Sequence, residues 1–230
     1  MKRSILLIFT TIAIFLTVVQ ASATQLSTKQ EQLSYAIGVE TGKAFRTHGV
    51  RINPNAFSAG LNDATRGTQL QLSEAKIRTV LADFRKQSLA KLEAKMQQSA
   101  SNNTQIGQSF LAKNKTKAGV ITTPTGLQYK ILKKGSGATP TKNDTVTVNY
   151  EGRLLNGKVF DSSYQRGKPV TFPVAGVIPG WQEALMKMKA GATWMLYIPA
   201  DLAYGQRGAP GAIGPNETLV FKVHLISVKK

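Results

Sequence analysis

Val177-Ile178-Pro179-Gly180-Trp181-Gln182-Glu183-Ala184-Leu185 reads as a short helix set among strands. Pro179 suits the first helical position, where its missing N–H leaves no intrahelical bond unmade. Helix-forming residues continue to Met188, and Gly191 lies beyond them as a stop. A single short helix under a sheet puts Val177, Ile178 and Trp181 where they can floor an apolar pocket. Trp181 can also be a core residue filling space under the sheet, the commoner role for a solitary tryptophan.

Outward from this helix the pattern has a period of two. Upstream, Leu127, Tyr129 and Ile131 alternate with polar neighbours, Gly135-Ser136-Gly137 turns the chain, and Val146, Val148 and Tyr150 alternate again. Asn156-Gly157 is a strong hairpin signal, with Phe160 and Asp161 on the returning strand. Phe172 and Val174 belong to another strand. Downstream, Trp194 to Ile198 is apolar enough for a central strand, the loop from Ala203 to Pro215 is dense in Gly and Pro, and Leu219, Phe221, Val223, Leu225 and Val228 form a last strand. These patterns predict an α+β domain over 118–230, an antiparallel sheet wrapped on one short helix.

Before Lys117-Ala118-Gly119 the spacing is helical. Lys2 and Arg3 precede an uncharged apolar run, and Ala21-Ser22-Ala23 supplies a small-residue cleavage site, so 1–23 reads as a signal peptide. The run is shorter than the ~20 residues a membrane anchor needs. Export to the periplasm, the outer-membrane surface or the medium follows. Residues 24–72 form an all-α segment. Thr28 and Glu31 make a capping box, and Asn53-Pro54 opens a second helix with Phe57, Leu61 and Ala64 on its buried face. Gly38 and Gly42 share a helix face, which fits either close approach by another helix or a locally weak helix. Ser73 opens a third, long helix over 73–117, with Ile77, Val80, Leu81, Phe84, Leu92 and Met96 as its stripe. Unbroken to Ala112, it would measure roughly 60 Å. Beyond Met96 the stripe fades around Gly107, which predicts a solvated stalk. The helical segment is too small for a deep core, so a homodimer through it is expected.

Composition excludes several chemistries. There is no cysteine, hence neither a disulfide framework nor a thiolate site. His48 and His224 are the only histidines and lack metal-ligand spacing; no catalytic triad, zinc motif or phosphate loop is present, and no cofactor or metal is expected. The net charge is +18, and the excess beyond Lys2 and Arg3 is spread evenly over the two halves without the interleaved aromatic patch of a nucleic-acid binder. No nucleic-acid partner is therefore expected. A basic surface does favour anionic membranes, which allows peripheral association.

Five stretches carry a resemblance: Val148-Asn149-Tyr150-Glu151-Gly152, Lys158-Val159-Phe160-Asp161-Ser162-Ser163, Val177-Ile178-Pro179-Gly180-Trp181, Leu202-Ala203-Tyr204-Gly205 and Thr218-Leu219-Val220-Phe221. In order and spacing they resemble the FKBP-type peptidyl-prolyl cis-trans isomerases. Leu33-Ser34-Tyr35-Ala36-Ile37-Gly38, the long third helix and the ending Val223 to Lys230 resemble the macrophage infectivity potentiator branch, whose members are exported homodimers of intracellular pathogens. The resemblance implies a rotamase acting on proline-containing polypeptides, inhibited by rapamycin-type macrolides, with a role in infection. It also turns Trp181 into a pocket floor. It assigns Asp161, Tyr204, Trp181, Phe160, Tyr150 and Phe221 to catalysis, and Phe172, Val177, Ile178, Ile213 and Ala203 to substrate binding. Two departures stand out: Ala209 replaces a histidine of the family archetype, and Gly176 a charged residue. A holdase chaperone or host-factor binding protein with an incidental pocket is the competing reading. Bond rotation needs no nucleophile, only an environment that favours the twisted amide.

Overall fold

The computed structural model describes residues 26–230; the expected signal peptide lies outside them. Among the described residues no helix is long and apolar enough to cross a membrane. The chain divides into two compact units between Glu74 and Ala75.

In the first unit, α1 (Lys29–Thr47) begins at the expected capping box. Thr28 Oγ1 accepts from the Glu31 N–H at 3.1 Å, and Glu31 Oε2 accepts from the Thr28 N–H at 2.8 Å. α2 (Pro54–Arg66) starts where Asn53 Oδ1 accepts from two backbone N–H groups, and it ends on Gly67 at φ +64°. Phe45 and Phe57 meet edge to face, 5.8 Å between centroids. The expected buried face is not buried, however: no residue of either helix is, and Leu33, Tyr35, Ile37 and Leu61 each expose more than half of their surface. Two short helices cannot cover one another's apolar faces within a single chain.

The second unit holds most of the 41-residue α3 (Glu74–Asn114) and an antiparallel sheet. The long helix is continuous, but its polar last turns are not a solvated stalk. Gly107 and Asn114 are buried against the sheet domain. Asn114 Nδ2 donates to Gln128 Oε1 and Gln128 Nε2 to the Leu111 carbonyl, each at 2.9 Å, while Phe110 packs on Tyr197. These turns dock by hydrogen bonds and close approach, so an apolar stripe was the wrong signal for them.

The strands are β1 (Val120–Thr122), β2 (Gln128–Lys133), β3 (Thr145–Leu154), β4 (Val159–Ser162), β5 (Val170–Pro173), β6 (Thr193–Ile198) and β7 (Leu219–Lys229). Their order is β1-β2-β6-β7-β3-β4, with β5 also paired to β3. β7 therefore lies between β6 and β3, at the middle of the sheet. The Asn156-Gly157 turn joins β3 to β4 as expected, with Gly157 at φ +87°. Val174 departs from expectation: β5 stops at Pro173, and Val174–Gly176 form a buried-side 3-10 turn. α4 (Pro179–Leu185) crosses one face of the sheet and is a turn shorter than expected. Tight bonds from the Lys187 N–H to the Ala184 carbonyl and from the Met188 N–H to the Leu185 carbonyl wind the chain off the helix, which sinks Met188 into the core. Ala184 and Leu185 are fully buried in the same cluster as Val146, Val148, Leu196 and Leu219.

Candidate active site

A cavity of about 310 Å³ opens between α4 and the concave face of the sheet. Tyr150 comes from β3, Phe160 and Asp161 from β4, Phe172 from β5 and Phe221 from β7. Val177 and Ile178 lead into α4, which brings Trp181, and the loop after β6 brings Tyr204. Gly176 completes the lining. Ala203 and Ile213 are not among these residues: Ala203 packs on the core, and Ile213, 7% exposed, is held inward by its pairing with Ala209.

Trp181 satisfies both descriptions at once. It is 4% exposed and part of the core, yet it lines the cavity. Tyr150 and Phe221 stand edge-on to it, each 5.2 Å away at 88° and 86°, and Phe172 lies 5.6 Å off. Its Nε1 is buried without a hydrogen-bond partner among the described residues. Phe160 and Phe221 meet at 90° with centroids 5.5 Å apart. Gly152 makes that contact possible. It pairs with Asp161 on one side and Phe221 on the other, and a Cβ there would stand 2.6 Å from Phe221 and 2.7 Å from Phe160.

The polar corner is built on Asp161. Tyr150 Oη donates to its Oδ2, and Arg166 Nη1 to its Oδ1. Arg166 Nη2 also donates to Tyr150 Oη at 2.8 Å, with the guanidinium 5.5 Å above that ring. Burial alone would push the Asp161 carboxyl up, but the bonds from Tyr150 and Arg166 outweigh it and hold the group below the usual carboxylate range. Burial raises the Tyr150 and Tyr204 phenols, with the negative Asp161 adding to both. Buried Ser163 locks the end of β4 to β3: its Oγ accepts from the Tyr150 N–H at 2.9 Å and donates to Asn149 Oδ1 at 3.0 Å. Gln182 Nε2 donates to the Val177 carbonyl at 2.7 Å, which fixes the approach to α4.

Arg166 and Gly152 were missed by sequence reasoning. Gly152 stands inside one of the matching motifs, where a glycine in a strand interior signals close approach. An arginine in a surface turn five residues after Asp161 carries no pattern of its own.

Residues 136–226 match the profile described as FKBP-type peptidyl-prolyl cis-trans isomerase, and residues 30–131 match the domain amino-terminal to it. The peptidyl-prolyl cis-trans isomerase Mip of Coxiella burnetii is 56% identical over 230 residues, the whole of both chains. The chain belongs to the FKBP-type peptidyl-prolyl cis-trans isomerases. The outer membrane protein MIP of Legionella longbeachae is 52% identical, covering 90% of this isomerase and 89% of the relative. The crystal structure of FkpA from Escherichia coli superposes with a TM-score of 0.70 at 38% identity, over 89% of this isomerase and 98% of FkpA. This FKBP-type enzyme isomerises prolyl bonds, and its substrates are proline-containing polypeptides.

Proposed function

We propose that this isomerase accelerates X–Pro rotation by desolvation and positioning alone, within the cavity between Trp181 and Tyr204. The planar amide is stabilised by resonance worth a barrier of ~18–20 kcal/mol, and its carbonyl is the more polar the more complete that resonance is. A twisted amide loses charge separation. A dry aromatic enclosure therefore disfavours the planar ground state more than the rotating one. The proline ring lies over Trp181 between Tyr150, Phe160 and Phe221. Tyr204 Oη and the Ile178 N–H, which has no hydrogen-bond partner among the described residues, hold the flanking carbonyls. Asp161, kept ionised by Arg166, polarises the wall on which the prolyl carbonyl turns. Phe172 and Val177 close the sides.

The observation that carries this reading is the lining itself: six aromatic rings, two aliphatic side chains and Gly176 around about 310 Å³, with Asp161 and the Tyr150 and Tyr204 hydroxyls as its polar tips. Protease-coupled isomerisation of a Xaa-Pro peptide with the full chain tests it. Tyr204→Phe and Asp161→Ala should each lower kcat/KM by about tenfold, the upper end of what one hydrogen bond is worth, and rapamycin should abolish the rate. Full activity in both variants would remove these two residues from the mechanism.

The proposal extends to the rest of the molecule. The chain is exported, residues 24–72 form the dimerisation domain, 73–117 the connecting helix and 118–230 the catalytic domain, and the infection-related role implied by the Mip-like resemblance follows export. The exposed apolar side chains of α1 and α2 support the dimer. They also favour a second reading, a holdase that binds unfolded chains. Protection of a proline-free client that survives Tyr204→Phe would establish it.

A further inference from the structure

The loop that carries Tyr204 is tied to no strand of its sheet by a hydrogen bond among the described residues, although Ile213 is buried in the core. Between Ala203 and Asn216 it holds four glycines and two prolines, and a backbone of that composition has much conformational freedom to lose. Within it, Ala209 and Ile213 exchange bonds of 2.8 and 2.9 Å, the Ala212 N–H donates to the Ala209 carbonyl at 3.1 Å, and the Gly208 N–H reaches the Gly205 carbonyl at 3.4 Å. What holds its C-terminal end lies on α3. Asn103 Nδ2 donates to the Pro215 carbonyl at 2.8 Å. Asn216 Nδ2 donates to Thr104 Oγ1 at 3.1 Å, while the Asn216 N–H donates to the carbonyl of Gly205, the residue after Tyr204, at 2.8 Å.

Asn216 is thus a two-way connector, and its backbone is adapted to the task. At φ +55° it is the single non-glycine residue with positive φ among the described residues, a conformation asparagine tolerates better than most. The helix comes close enough for these bonds because Gly107 has no side chain. A Cβ there would fall 2.3 Å from Thr218 Oγ1, and Thr218 is itself 3% exposed. Asn103, Thr104, Gly107, Leu111 and Asn114 recur at helical spacing, so one face of α3 makes all these contacts. This is also the polar stretch that looked featureless in the sequence.

We propose that the last turns of α3 form a splint for the isomerase site, with Thr104 and Asn216 as positioning residues that set Tyr204 over the cavity. The inference rests on the role given to Tyr204 under Proposed function. It makes α3 more than a spacer, because the turn from Asn103 to Gly107 supports the wall of the pocket from behind. Asn216 transmits the support through its side-chain bond to Thr104 on α3 and its main-chain bond to Gly205 beside Tyr204.

The test uses the full chain carrying a fluorinated tyrosine label, with isomerase kinetics and the fluorine resonance of residue 204 as readouts. Thr104→Val removes the acceptor at nearly constant volume, and Asn216→Gly removes the amide while keeping the positive φ accessible. Each should shift or broaden the 204 resonance and lower kcat/KM about fivefold, the worth of one neutral hydrogen bond, and Thr104→Ser should restore both. In a Tyr204→Phe background Thr104→Val should have no further kinetic effect, whereas general destabilisation would add to it. An unmoved resonance in Thr104→Val, with Tyr204→Phe impaired, overturns the splint alone. A moved resonance with unchanged kinetics overturns it as well. Full activity in Tyr204→Phe overturns the role of Tyr204 and the splint's bearing on catalysis with it.

Discussion

Asp161 accepts from both Tyr150 and Arg166, and the three side chains stand or fall together. A carboxyl lowered on folding adds stability that is in place above its ordinary pKa and is lost as the pH falls through the folded value. The Tyr150 phenol is raised, so its contribution is in place below about pH 10 and is lost as the pH rises through the folded value. Between about pH 5 and pH 9 the corner therefore keeps one protonation state, and kcat/KM on a Xaa-Pro peptide should be flat across that range. A bell-shaped profile would reveal a titrating acid or base and sink a mechanism of rotation without proton transfer. Arg166→Ala leaves a partly buried carboxylate with one donor fewer. Its pKa should rise, as carbon-detected NMR titration would read, and activity should fall with it. Gly152 shows how a small residue serves a ring pair: Gly152→Ala should disrupt the Phe160–Phe221 contact and cost about 1–3 kcal/mol in denaturant unfolding.

α3 poses a question of sign at Gly107. Exchanging an interior helical glycine for alanine ordinarily stabilises by about 1 kcal/mol. Here the new methyl would meet Thr218 Oγ1 at 2.3 Å, against a β-branched neighbour with little room to turn. Overpacking of about 1–3 kcal/mol should win, so Gly107→Ala should lower Tm and the added change Thr218→Ala should restore it. The same helix marks the limit of what could be read in advance. Capping at Thr28 and Asn53, the hairpin at Asn156-Gly157 and the alternation in β3, β6 and β7 were legible because each follows from one local rule. Nine of the expected site residues line one cavity because the motifs that hold them lie on adjacent elements. The docking of Asn103 to Asn114 was not legible, since it depends on non-local pairings, from Asn114 with Gln128 to Asn103 with Pro215, that leave no periodic pattern. Arg166 escaped for the related reason that an ion pair in a turn leaves no periodic trace.

The two glycines left open by the sequence can now be decided by experiment. A Cβ at Gly38 or Gly42 meets nothing within 4 Å in the single chain. If no other helix comes near, Gly38→Ala and Gly42→Ala should each stabilise by up to about 1 kcal/mol. In the proposed homodimer they should weaken association instead, and sedimentation equilibrium distinguishes the two. Phe57→Glu, on the exposed face of α2, should dissociate the dimer and leave the rate on a short Xaa-Pro peptide unchanged.

β7, the strand furthest along the chain, fills the gap between β6 and β3. A nascent polypeptide emerging in order therefore exposes β2, β3, β6 and α4 while their shared neighbour is still missing. The two halves of the sheet, β1-β2-β6 and β3 with β4 and β5, join only through Leu219–Lys229. Under the export proposed above, a sheet completed only by its final strand would stay open during passage through a translocation channel and set on the far side.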